Sequence, residues 1–307
     1  MRPSTGWFIA IIALLTLLFL GNPAIALFTG TFLTLTLNKS IVANAANLGK
    51  YCLQTAIVLL GLKLNVVDLL SISADYTLPI AIYVLTVLGL GGLLGWALKV
   101  ELNANKLMSS GTAICGGTTI ASLSPIIGAT SHQTGAALAI VFLLNALALF
   151  TFPHIGDWLR LSQEQFGVWV ALAIHDTSSV VATAQIYGEE AARVATTLKL
   201  GRTLWLIPLI LAATIWSGSG EAKMRLPGFI LLFILASIIG SIVPLPDVIQ
   251  KTAAIISSAL LVAALFFIGT EISRQNLREI DARVLLQAII LWLTVVPATL
   301  TAVLYLV

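Results

Sequence analysis

Residues 173–181 read AIHDTSSVV and set His175, Asp176, Thr177, Ser178 and Ser179 in the middle of QFGVWVALAIHDTSSVVATAQIY, an otherwise apolar run from Gln165 to Tyr187. The stretch from Gln165 to Ile174 makes ~15 Å of helix, half of the ~30 Å hydrocarbon core of a bilayer. In lipid, the five polar side chains would therefore lie at mid-membrane depth. An ionised carboxylate there costs about 3 kcal/mol or more, so Asp176 must face a partner or a cavity inside a bundle. Asp176 and Thr177 are also good N-cap residues. The pattern predicts a half-helix that stops near His175 and a second one that starts there.

Composition supports the membrane reading. The chain is 59% hydrophobic and 9% charged, with a mean hydropathy of +1.03. It divides into eleven apolar segments, with approximate cores at 7–20, 23–38, 48–64, 77–98, 107–128, 134–152, 165–187, 193–216, 228–243, 252–270 and 285–306. Each is apolar on all sides, which fits helices and excludes the alternating pattern of barrel strands. Arg2, the first apolar run and Ala24-Ile25-Ala26 together resemble a cleavable signal peptide. A first membrane span is the expectation, because ten further spans come after it. The fold class is thus an all-α polytopic membrane protein with about eleven transmembrane segments.

Charge sets an expected orientation. If every segment crosses once, Lys63, Arg193 and Lys251 fall on one side, Lys199 and Arg202 lie inside the eighth segment, and the other basic residues of the 16 fall opposite. That bias predicts a cytoplasmic N-terminus and an outside C-terminus. The net charge of +3 then reflects topology, and no nucleic-acid partner is expected. Cys52 and Cys115 lie in separate apolar segments, so no disulfide framework and no zinc spacing is present. No nucleotide-binding loop occurs and no cofactor is expected.

The chain carries two internal similarities. AICGGTTIASLSPIIG, 113–128, aligns with AIHDTSSVVATAQIYG, 173–188, and LLGLKLNVVDLL, from Leu59, aligns more weakly with FIGTEISRQNLREI, from Phe267. Each half, 1–156 and 157–307, would then contain one interrupted segment, at 107–128 and 165–187, as in an inverted-repeat transporter. The fifth and seventh segments would run in parallel if both simply crossed, and inverted only if both were re-entrant hairpins. The charge bias does not choose between these arrangements.

In the fifth segment Cys115, Gly116 and Gly117 would let the backbone leave the helix and approach a ligand, with Thr118 and Thr119 capping the half-helix beyond them. The exposed N–H groups of two half-helices would favour an anion. Lys199 and Arg202 share a face of the next helix, either as a cationic wall for an oxyanion or as snorkelling side chains. His175 and Asp176 read as proton-carrying groups or as structural hydrogen-bonding groups. Asn145 reads equally as an interhelical hydrogen bond or a ligand. Nucleophilic catalysis is not expected, because no nucleophile motif accompanies these residues.

The stretches GLKLNVVDLL at 61–70, GTAICGGTTIA at 111–121, FGVWVALAIHDTSSVVA at 166–182 and ATTLKLGRTLWLIP at 195–208 resemble the YeiH-type sulfate exporter family of conserved bacterial membrane proteins. That resemblance implies a bacterial inner-membrane location and, at superfamily level, the bile-acid and sodium–proton antiporter fold, with crossing broken helices. This chain differs in reading CGGTTI where the family has CGASAI. The expected function is a secondary transporter exporting a small anion such as sulfate or a sulfonate, coupled to H+ or Na+. A cation/proton antiporter carried by Asp176 is the alternative. Expected partners are the anion, the coupling ion, the bilayer and a second copy of the chain.

Overall fold

The computed structural model describes residues 3–37, 42, 44–62, 66–217, 228–243, 245–271, 274 and 280–307. Among them there is no strand, and helices occupy the positions of all eleven apolar segments. They are α1 (Pro3–Leu20), α2 (Pro23–Leu37), α3 (Ala45–Gly61), α4 (Val66–Ala97), α5 (Leu102–Ala113), α6 (Gly117–Leu123) and α7 (Ser131–Leu159). Next come α8 (Gln163–Ala173), α9 (Thr177–Tyr187), α10 (Glu189–Thr203), α11 (Leu206–Ser217), α12 (Gly228–Ile242), α13 (Asp247–Thr270) and α14 (Ala282–Leu306). Tyr76–Ala97, His132–Leu159, Glu189–Ile215, Val248–Thr270 and Ala282–Tyr305 are long and apolar enough to cross a membrane. Arg2, Lys39, Lys63, Lys223, Arg225 and Arg278, which the charge bias uses, and much of the weaker repeat lie outside the described residues.

The chain forms two compact units, Met1–Ser71 with Pro227–Gln275, and Ile72–Leu226 with Asn276–Val307. Both sequence halves contribute to each. In the first unit, helices approach through glycine, as is usual where apolar packing must replace a hydrophobic driving force. A Cβ on Gly30 of α2 would collide with the Phe266 carbonyl of α13, and one on Gly269 would collide with Leu27 O. The close approach lets Thr34 Oγ1 donate to Thr270 O at 3.0 Å. On α3, Ala56 O accepts from Ser257 Oγ at 2.8 Å.

The second unit holds both interrupted segments, and neither runs straight through. α8 and α9 fold back on each other. The Tyr187 hydroxyl at the end of α9 donates to Leu161 O, just before α8, at 2.7 Å, and its ring stacks on Phe166 with centroids 3.8 Å apart. Gln163 Oε1 also accepts from Glu190 N at 3.0 Å. The mouth of this hairpin is therefore at one end of the unit, with the tip at 174–176 about 16 Å away, the length of an eleven-residue helix.

The other hairpin enters from the opposite end. Ser124 Oγ and Thr134 Oγ1 pair at 2.5 Å, so α6 runs toward the start of α7. The far end of α7 packs at the α8–α9 mouth, where a Cβ on Gly156 would stand 3.0 Å from the Tyr187 ring. The base of α5 is fixed by α14. Gln287 Nε2 donates to Asn105 Oδ1 at 2.7 Å and Gly91 O at 2.9 Å, and lies 3.3 Å from Ser109 Oγ. About 13 Å further along α14, Val296 O accepts from Trp169 Nε1 of α8 at 3.2 Å. Ser109 and Trp169 each precede their own tip by ~8 Å of helix. Hairpins entering from one end would hold these two residues at one level, whereas entry from opposite ends gives the separation seen. The fifth and seventh segments are thus two opposed hairpins, the re-entrant one of the two arrangements that the sequence left open, and not the crossing broken helices that the resemblance implies.

The eighth segment, read as one uninterrupted helix, also breaks, at Leu204-Trp205 between α10 and α11. Pro208 has no N–H to bond Leu204 O, and its ring crowds that carbonyl. The chain responds with tighter bonds, Leu204 N to Gly201 O at 3.2 Å and Ile207 N to Leu204 O at 3.0 Å.

Gly30→Ala should cost about 1–3 kcal/mol through overpacking against the Phe266 carbonyl. Gly89→Ala in α4, where a Cβ meets nothing within 4 Å, should leave stability unchanged or slightly raised. Thermal midpoints of the two variants in detergent test this contrast, and equal midpoints would contradict it.

Candidate functional site

The site is built where the two hairpin tips meet. At the first tip, Gly116 takes φ +57°, and a Cβ on it would stand 3.2 Å from Asp176 Cβ, Asp176 N and His175 C of the second tip. Glycine is thus required at Gly116 by both conformation and contact. Gly117 is different, because a Cβ there would make ordinary contacts with Leu138 and Phe142. Thr119 caps backward: its Oγ1 accepts from Cys115 N at 3.2 Å and pairs with Cys115 Sγ at 3.1 Å. The expected cap role of Thr118 is corrected, since its side chain is exposed and α6 has Gly116 at its N-cap with no side-chain bond.

The second tip matches the sequence reading closely. Ile174 and Asp176 are extended, and Asp176 is the N-cap of α9. Its carboxylate accepts from Ser179 N at 3.3 and 3.4 Å and from the Ser178 hydroxyl. Thr177, the first residue of α9, is half-buried beside these two buried serines.

Asn145, at the middle of α7, joins both residues of the HD pair. Its Nδ2 donates to Asp176 Oδ1 at 2.6 Å, and its Oδ1 accepts from His175 N at 3.1 Å. Asn145 Oδ1 also lies 3.1 Å from His175 Nδ1. Its depth was legible in the sequence, but nothing there linked it to this pair.

Lys199 and Arg202 do not snorkel; their exposures are 0% and 1%. Lys199 Nζ donates to Ile174 O at 2.7 Å. Arg202 Nη1 donates to Ala171 O at 2.8 Å and Leu172 O at 2.7 Å, at the end of α8. Its Nε donates to Ile114 O at 2.6 Å and its Nη2 to Thr112 O at 2.8 Å, at the end of α5. The guanidinium also lies 4.7 Å from the Tyr83 ring centroid, a cation–π contact. Tyr83 Oη donates to Leu172 O at 2.7 Å. The two cations therefore stand at the negative ends of α5 and α8, where last-turn carbonyls need donors.

Residues 5–288 match the family described as Conserved hypothetical protein 698. The chain belongs to that family. It is 40% identical over 282 residues to a UPF0324 membrane protein of Bacteroides thetaiotaomicron, covering 91% of this chain and 85% of that one. A UPF0324 membrane protein of Geobacter sulfurreducens is 38% identical over 297 residues, covering 97% of this chain and 95% of that one. One from Porphyromonas gingivalis is 41% identical over 289 residues, covering 92% and 87%. No solved structure matches the chain. As a Conserved hypothetical protein 698 member with several long apolar helices, it is a multi-pass membrane protein.

In this member of the family, all twelve residues singled out in the sequence lie on the two tips or on α10 behind them. No group of three or more His, Cys, Asp or Glu among the described residues could hold a metal. The polar groups gathered are hydroxyls, backbone N–H groups and one accepting carboxylate, a set suited to small ions.

Arg202→Lys should destabilise the protein by about 3 kcal/mol or more, because one ammonium cannot reach the carbonyls of both hairpins. A thermal midpoint in detergent equal to that of the unmodified protein would refute this account of Arg202.

Proposed function

We propose that this chain is a secondary active transporter that moves a small anion, such as sulfate or a sulfonate, across the bacterial inner membrane, coupled to H+ or Na+. The observation that carries the reading is the meeting of two opposed hairpin tips, Gly116 against His175-Asp176, deep in an apolar bundle. Backbone that breaks a helix at such depth is tolerated where it is buried in protein or lines a cavity, and opposed broken elements are a means by which transporters present one site to two sides. Movement of the hairpin-bearing unit as a body would give alternating access. The charge bias of the loops supports a cytoplasmic N-terminus.

Charge favours an anion. One acidic side chain, Asp176, meets two basic ones, Lys199 and Arg202, at the junction, and such an excess of basic groups would suit a bound anion. The N-terminus of α9 and the hydroxyls of Thr177 and Ser179 would be its nearest donors. No complete catalytic set accompanies these groups, so an enzyme is not proposed. A second reading, a cation/proton antiporter carried by Asp176, draws support from the carbonyls that already occupy the Lys199 and Arg202 donors.

Proteoliposomes separate the two. Labelled sulfate should exchange across the vesicle membrane, and Gly116→Val should abolish exchange because its side chain would strike the other tip. Sodium-driven proton release without movement of sulfate, alkanesulfonates or other oxyanions would establish the cation reading instead.

A further inference from the structure

The hydrogen bonds around Asn145 fix more than its own position. The backbone N–H of His175 can only donate, so the amide atom facing it at 3.1 Å must be Asn145 Oδ1. The Nδ2 group then faces Asp176 Oδ1, which accepts. Because Oδ1 cannot donate, the His175 Nδ1 that lies 3.1 Å from it must carry hydrogen. In the neutral ring Nε2 is therefore the bare nitrogen. That Nε2 is fully buried and has no hydrogen-bond partner among the described residues, and the residue as a whole is only 1% exposed. A buried acceptor left without a donor is costly in structure alone and points to something that binds there.

The charges around the ring decide what can bind and when. Asp176 is its neighbour in sequence, Lys199 and Arg202 of α10 bond carbonyls of its own tip, Cys115 lies on the opposing tip, and Tyr83 of α4 lies against Arg202. A proton on Nε2 adds a positive charge close to these two basic side chains. An anion beside the tips removes that opposition, so each ligand raises the affinity for the other by the same factor.

We infer that His175 Nε2 is the proton-binding atom of the transporter, and that Asn145 is the positioning residue that reserves it by holding the hydrogen of the neutral ring on Nδ1. Resting on the anion-transport reading above, this names H+ as the coupling ion and requires that proton and anion be carried in the same direction. Asn145 also links the imidazolium to the Asp176 carboxylate through one amide, so the charged ring is stabilised without direct contact between the two side chains.

Nitrogen-15 NMR on histidine-labelled protein in lipid tests this directly. The chain has only His132, His154 and His175, and the signal lost in His175→Gln assigns the ring. The expected result is a neutral ring protonated on Nδ1, which becomes the imidazolium on addition of saturating sulfate at the same pH. Calorimetry in buffers of different ionisation enthalpy should show about one proton taken up per sulfate in the unmodified protein and none in His175→Gln, by the same linkage. Asn145→Leu should give a mixture of neutral tautomers. An Nε2-protonated neutral ring, or sulfate binding that leaves the ring neutral, overturns the inference while transport stands. If sulfate neither binds nor exchanges, the transport reading fails, and the proton-coupling inference fails with it. The tautomer measured in the unmodified protein keeps the assignment to Asn145 falsifiable even if the leucine variant does not fold.

Discussion

Two half-helices that end inside a bundle leave last-turn carbonyls without intrahelical partners, and Arg202 with Lys199 supplies the missing donors from a single helix. Arg202 bonds Thr112 and Ile114 on one hairpin and Ala171 and Leu172 on the other. The fork of its guanidinium is what allows one side chain to serve both ends. Placing two cations where two helix dipoles are negative also makes each tip tolerable at depth. Without them, the carbonyls of Thr112, Ile114, Ala171 and Ile174 would lose these donors in a buried setting.

The opposite ends of the interruptions are handled by the tips themselves. Asp176 caps α9 with its carboxylate, so an acidic group deep in the bundle serves a structural bond. Asn145 then ties α7 to the second tip through both His175 and Asp176. The first tip has no equivalent acid. It relies on Gly116 for the turn and on Thr119 for the thiol and N–H of Cys115. Partners of this kind let polar residues sit in apolar segments, whereas His175 Nε2 has none among the described residues.

Much of this could be read along the chain. The depth of His175-Asp176 came from counting apolar residues, and the start of α9 came from the cap preference of Asp176. The break at Cys115-Gly116 was signalled by glycine in an apolar run. Other features were hidden because they depend on partners far away in sequence. Thr118 and Thr119 look equivalent as caps, yet only Thr119 turns toward Cys115. Lys199 and Arg202 looked like ligands or snorkelling groups, because nothing local reveals carbonyls of α5 and α8. The eighth segment reads as one continuous apolar run, and Pro208 within it is the local cause of the break between α10 and α11.

The sequence by itself determined that this is an all-helical, multi-pass membrane protein with two interrupted segments carrying polar residues at mid-depth. Hydrophobicity and capping are local properties, so they can be summed along the chain. Only the tertiary structure decided that both interrupted segments are hairpins entering from opposite ends. That outcome rests on contacts between distant residues, Tyr187 with Leu161, Ser124 with Thr134, and Gln287 and Val296 of α14 with the two hairpins. A half-helix of given length can continue or turn back at the same local cost, and long-range packing makes the choice.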